Sequence, residues 1–157
     1  MQVRAAAGRD VEACVDLVEA RRRRYAEFEP RFWKKSASSA ALSRKWFAHL
    51  ITQTDVVAFV AEEDGRVIGF IIGTNFPPPP VIDLQGGKNA VIDDFAVVSD
   101  DRWSDVGPML FDACKDRLKE LGYTQIVVIG ADKDNAKTAF LKTTQLSLAS
   151  TWWTAGL

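Results

Sequence analysis

The chain has 157 residues, 47% of them hydrophobic and 26% charged, with a formal net charge of -1. That length suits one domain able to bury roughly 68 to 70% of its unfolded surface without a staple, and the charge balance lacks the basic excess of nucleic-acid binders. The opening MQVRAAAGRDVEACVD has no apolar core behind its basic residues, and no long apolar run follows, so neither a signal peptide nor a membrane span is expected.

Residues 2–5 read as a short strand, and Gly8-Arg9-Asp10 as a cap. Val11, Cys14, Val15, Val18 and Tyr25 then recur at helical spacing. Cys14, like Cys114 further on, falls on the apolar face of a predicted helix, so buried free thiols and a cytoplasmic compartment are expected rather than a disulfide. The run Arg21 to Arg24 invites a reading as a phosphate or acidic-partner patch. Four consecutive residues spread round all faces of a helix, however, so a solvated helix end is preferred.

Pro30 breaks the helix within Glu27-Phe28-Glu29-Pro30-Arg31-Phe32-Trp33 and brings Phe28, Phe32 and Trp33 close together. A second helix is predicted over 36–51, with Leu42, Trp46, Phe47 and Leu50 on one side; its His49 reads as a surface or packing residue. The apolar runs 56–61 and 66–74 are joined by Glu62-Glu63-Asp64-Gly65, a hairpin signal. Pro77 to Pro80 form a stiff spacer.

The stretch 89–121 carries the clearest combination of fold and chemistry. In a strand over 90–98 the apolar set Ile92, Phe95, Val97 steps by three and then two residues, whereas a regular strand repeats every second residue. The extra residue places a β-bulge at Asp93-Asp94, and bulges often sit beside sites. A polar loop over 99–105 leads to a helix with Val106, Met109, Leu110, Ala113, Cys114, Leu118 and Leu121 at helical spacing. Ser104 or Asp105 can cap it, Pro108 fits only its first turn, and its free N–H groups suit an anion. Residues 125–130 read as a buried strand, 132–145 as a helix with Ala136, Ala139 and Phe140 apolar, and 148–154 as a final strand carrying Trp152-Trp153.

The order β-α-α-β-β-β-α-β-α-β describes one α/β (α+β) domain over 1–157. Its sheet is expected to be mixed and mostly antiparallel, with helices on both faces and a splay between the strands ending at Val98 and Gly130. No cluster of metal ligands and no Gly-x-Ser-x-Gly appears.

Residue by residue, this pattern resembles the GNAT superfamily of N-acyltransferases. Phe95-Ala96-Val97 stands for its L-x-V strand end, Asp100-Asp101 for its acidic loop, and Arg102-Trp103-Ser104-Asp105-Val106-Gly107 for its Q/R-x-x-G-x-G/A phosphate loop. VAEEDGRVIGFIIG is similar to its second and third strands, and Asn135 to an asparagine after the next. The resemblance implies acetyl-CoA (coenzyme A), its pantetheine aligned by Phe95, Val97 and Val98 and its pyrophosphate held by Arg102, Trp103, Ser104, Asp105, Val106 and Gly107. Departures are Asp105 for the first glycine, Pro108, Lys142 where a tyrosine commonly lies near the coenzyme sulfur, and Leu146-Ser147 for Gly-Phe. A carboxylate about 5 Å from a phosphate, at an effective dielectric near 20, is repelled by about 3 kcal/mol; the alternative is that the Asp105 side chain turns outward to solvent.

The leading expectation is an N-acetyltransferase in which a primary amine attacks the thioester directly, its proton taken by Asp94 or Asp93. The alternative is a catalytically silent GNAT-like binding or regulatory module. Expected partners are a small-molecule or peptide amine and a second copy in a homodimer, with no nucleic acid and no membrane. Phe28, Phe32 and Trp33 over the two aspartates would favour a small cationic or aromatic amine; the competing reading makes these aromatics core.

Overall fold

The computed structural model describes residues 1–82 and 86–156. β1 (Gln2–Ala5), β2 (Val57–Glu63) and β3 (Arg66–Asn75) form an antiparallel ladder, with Glu63 opposite Arg66. Only Asp64 and Gly65 lie between β2 and β3, and both have positive φ, 49° and 74°. A two-residue turn of that kind matches the right-handed twist of its strands.

The expected bulge is present. β4 (Lys88–Ile92) stops at Asp93-Asp94 and β5 (Phe95–Val97) resumes, while β3 runs past both, pairing Thr74 with Val91 and Phe70 with Ala96. Ile72 N–H donates across the break to the Asp94 carbonyl at 2.8 Å. β4 pairs in parallel with β6 (Tyr123–Val128), but β5 pairs only with β3 among the described strands. The sheet therefore splays between β5 and β6.

Alternation along β3 sends Phe70 and Ile72 to one face and Ile71 to the other. On the first face α1 (Val11–Phe28) and α2 (Ser39–Leu50) bury Cys14, Val15, Val18 and Phe47. Under the second, α3 (Val106–Glu120) and α4 (Asn135–Thr143) bury Val106, Leu110, Cys114 and Phe140. Gly69 lets α3 approach, since a Cβ there would lie 2.8 Å from Val106 Cγ1. Both cysteines are buried and free, and burial pushes each thiol up to about 12.

Two expectations fail. Leu42 and Trp46 are exposed, because the packed stripe of α2 runs through Ser39, Ser43, Phe47 and Leu50. No strand forms over 148–154: the tail leaves α4 without a sheet partner, Leu148, Trp152 and Trp153 are exposed, and Trp152 meets the edge of Phe32 at 6.2 Å. Strand propensity reports how a side chain fits a half-buried sheet surface, and here no sheet edge receives the segment. Among the described residues no helix is long and apolar enough to cross a membrane, and no His, Cys and carboxylate group could hold a metal.

Candidate functional site

At the bulge Asp93 faces solvent, whereas the Asp94 side chain turns inward and is 13% exposed. Arg21, reaching down from α1, grips the break. Its Nη2 donates to Asp94 Oδ1 at 3.0 Å, and its Nη1 donates to the carbonyls of Asp93 at 2.6 Å and Phe95 at 3.3 Å. Burial pushes the Asp94 carboxyl up, with Asp93 adding to the effect and Arg21 opposing it. The expected solvated arginine run is therefore overturned. Arg22 pairs with Glu19 and bonds Ser43, Arg24 pairs with Asp100 and Asp134, and Arg23 alone of the four is exposed. The cause is that α1 packs on both the sheet and α2, which leaves the stripe through Glu12, Asp16, Ala20, Arg23 and Glu27 to solvent.

The loop before α3 coils into a short 3-10 turn, Asp100–Ser104, that drives Trp103 inward. Trp103 stacks on Phe140 at 5.6 Å and meets Phe95 edge-on at 4.8 Å. Both Trp103 and Phe140 press on Gly107, where a Cβ would lie 3.2 Å from each. Asp105 has φ of -117°, so it takes no left-handed conformation. Its carboxylate accepts from the Val106 N–H at 2.7 Å and caps the helix. Burial alone would raise that carboxyl, but Arg102 and the Val106 N–H hold it below the usual range. Arg102 in turn donates to Asp105 at 3.1 Å and to Glu63 at 2.9 Å. Ser104 bonds back to the Asp101 carbonyl at 2.8 Å.

In an antiparallel ladder, successive residues aim their peptide groups to opposite edges. The Asp94 carbonyl and the Val98 N–H are bonded to β3 at Ile72 and Ile68, so Phe95 and Val97 face the splay. Into it comes Lys137 from α4, which the sequence reading did not single out. Its side chain is 1% exposed. Nζ donates to the Ile129 carbonyl at 2.7 Å and the Phe95 carbonyl at 3.3 Å, between the rings of Phe95 and Trp103. Burial pushes the ammonium down to about 7, Arg21 adding to that and Asp134, Asp93 and Asp94 opposing. One signal was available: three residues before Phe140, Lys137 shares its apolar face. Asn135 and Lys142 are both exposed on α4.

The predicted acceptor residues gather round Tyr25. Trp33 meets its ring at 5.0 Å and Phe28 at 5.9 Å, while Phe32 packs edge-on to Trp33 at 4.7 Å. Arg21 also lies over Tyr25 at 5.6 Å. The guanidinium thus stands between these aromatics and Asp94.

A family model described as the Acetyltransferase (GNAT) family matches residues 17–142. The chain belongs to that GNAT family. Solved structures with the same fold include a mutant of the BH1408 protein from Bacillus halodurans, with TM-score 0.84 and 16% identity, covering 100% of this chain and 99% of that one. A predicted acetyltransferase with acetyl-CoA from Clostridium acetobutylicum has TM-score 0.73 and 15% identity over 99% and 95% of the two chains. The aminoglycoside 6'-N-acetyltransferase AAC(6')-IG of Acinetobacter haemolyticus has TM-score 0.69 and 14% identity over 100% and 99%. No curated protein matches the sequence.

GNAT membership supports acyl transfer as the general chemistry, and the family generally uses acetyl-CoA. The side chains of this member do not fit that group as they stand. The helix start that would take a pyrophosphate carries the Asp105 carboxylate, Trp103 and Phe140 pack against the Cα of Gly107, and the Phe95 carbonyl is bonded by two cations. Only Val97 of the GNAT strand end turns peptide groups to the splay without a side chain upon them.

Proposed function

We propose that this chain keeps the GNAT fold but has closed its coenzyme site, and that it works as a binding or regulatory module. The observation that carries this is the bond from the Val106 N–H to Asp105 at 2.7 Å. A helix start binds an anion through free N–H groups, and here the anion is the chain's own carboxylate. A phosphate brought to that helix start meets a like charge, screened in part because the Asp105 side chain is 47% exposed and paired with Arg102 at 3.1 Å. Calorimetry with acetyl-CoA tests the proposal. No heat at millimolar ligand is expected, and saturable binding at micromolar ligand overturns it.

A second reading has specific support in the retained bulge, the splay and the outward peptide groups of Val97. It is acetyl-CoA-dependent N-acetylation of a primary amine on a small molecule or peptide, in which Asp94 or Asp93 takes the amine's proton. Phe28, Phe32 and Trp33 would then wall the acceptor. The same titration decides between the readings, and an amine screen with thiol detection would identify the acceptor. A cytoplasmic homodimer accompanies either reading as an expectation, and light scattering tests the dimer.

A further inference from the structure

Strands β4 and β5 part company with β6 at one point. Ile92 still accepts from the Ile129 N–H at 3.0 Å, Asp93-Asp94 bulge out, and Phe95 begins the strand that leaves. Immediately above that last rung, the Ile129 carbonyl on one side and the Phe95 carbonyl on the other have no strand to bond. Carbonyls shielded from solvent require a donor; Arg21 supplies one to Phe95 at 3.3 Å from the α1 side, and within the splay the Ile129 carbonyl would otherwise have to find water or a ligand. An ammonium carries three donors and no acceptor, which suits it to join two acceptors across a gap.

We propose that Lys137 is the built-in occupant of the splay: its ammonium bridges the Phe95 and Ile129 carbonyls, holds β5 and β6 together at their point of divergence, and excludes a ligand arm that would donate an amide N–H there. This deepens, and rests on, the reading of a closed coenzyme site. Three observations support it independently of the phosphate loop. The side chain is almost wholly buried although Lys is rarely so. The rings of Phe95 and Trp103 flank the ammonium, at 5.5 and 5.7 Å from Nζ, and present their faces to its charge. Asp134 caps α4 by accepting the Lys137 N–H at 3.3 Å, and Tyr25 on α1 holds Asp134 in turn at 2.8 Å. The backbone that aims Lys137 is therefore tied to the opposite layer.

The bridge has a consequence for specificity. Below about pH 7, where Lys137 keeps its proton, a neutral amide-bearing arm entering the splay must displace charged donors, Lys137 and Arg21, from the Phe95 carbonyl, and charged donors make roughly twice the bond. The site is thereby closed to such ligands even if Asp105 swings away, so two separate closures guard the cleft.

Pantetheine is the probe of choice, because it lacks phosphates and ignores Asp105. At pH 6, where Lys137 holds its proton, the wild-type protein is expected to give no heat with pantetheine at millimolar concentration, and Lys137→Ala is expected to bind it at least tenfold more tightly. A folded Lys137→Ala protein that binds no better than wild type overturns the proposal. Acetyl-CoA binding to wild type would instead overturn the functional reading, so the two failures are distinct. Where Lys137→Ala does not fold, nitrogen-15 NMR of the wild-type lysine ammonium decides. A slowly exchanging signal with contacts to the Phe95 and Trp103 rings is expected, and a fast-exchanging signal without them overturns the bridge.

Discussion

The hydroxyl of Tyr25 donates to Asp134 Oδ2 at 2.8 Å, joining two buried groups 109 residues apart. It ties the last turn of α1 to the residue that caps α4, and so couples the helix layer above the bulge to the helix that delivers Lys137. Tyr25→Phe removes that donor and leaves a buried carboxylate one bond short. A loss of about 1 to 3 kcal/mol is expected, read as a melting temperature lower by roughly 2 to 4 °C for each kcal/mol in a chain of this size. An unchanged melting temperature would show that Asp134 is satisfied without it.

Arg21 and Asp94 form a pair with side chains 11% and 13% exposed. Removing one partner of such a pair leaves an uncompensated charge, so Arg21→Met is expected to cost about 3 to 5 kcal/mol. Arg21→Met combined with Asp94→Asn should cost less than the sum of the two single changes. Urea unfolding of the four proteins closes that cycle, and strict additivity would refute the pair.

Lys137 sets a pH dependence whose sign follows from its lowered ammonium. The folded group loses its proton near 7 and the unfolded group near 10.5, so between those values the unfolded chain binds more protons and stability rises with pH. The charges acting on Nζ are Arg21 from α1, Asp134 at the α4 cap and Asp93 and Asp94 at the bulge. The expected slope is at most about 1.4 kcal/mol per pH unit, and Lys137→Met should flatten it. Chemical denaturation at several values between pH 7 and 10 measures both, and equal slopes in the two proteins would contradict the assignment.

Trp33 packs on Tyr25 and Phe32 but is not fully buried. Trp33→Ala should therefore cost about 1 to 3 kcal/mol, below the range for a wholly buried tryptophan. If the second functional reading holds, the same change raises the KM for the acceptor. A stability loss of the full size without any effect on ligand preference would make Trp33 a core residue and nothing more.

Much of the architecture was legible because it is written in local periods. The three-then-two step through Ile92, Phe95 and Val97 announced the bulge, and Asp64-Gly65 the hairpin, since each depends on a few adjacent residues. Asp105 and Pro108 could likewise be seen as departures from the phosphate-loop pattern. That Asp105 or Ser104 would cap the helix was legible too, and Asp105 does so; its negative φ was not, because that depends on how the turn coils when Trp103 is drawn inward. Arg21 read as part of a solvated run and Lys137 was not singled out, because a charge's partner lies on another element and sequence spacing records only its own. The strand expected over 148–154 failed for the related reason that a strand needs a neighbour's edge as well as its own composition. Local stereochemistry determined the elements, whereas the pairing of buried charges and of sheet edges was decided only by which distant segments the fold brought within about 3 Å.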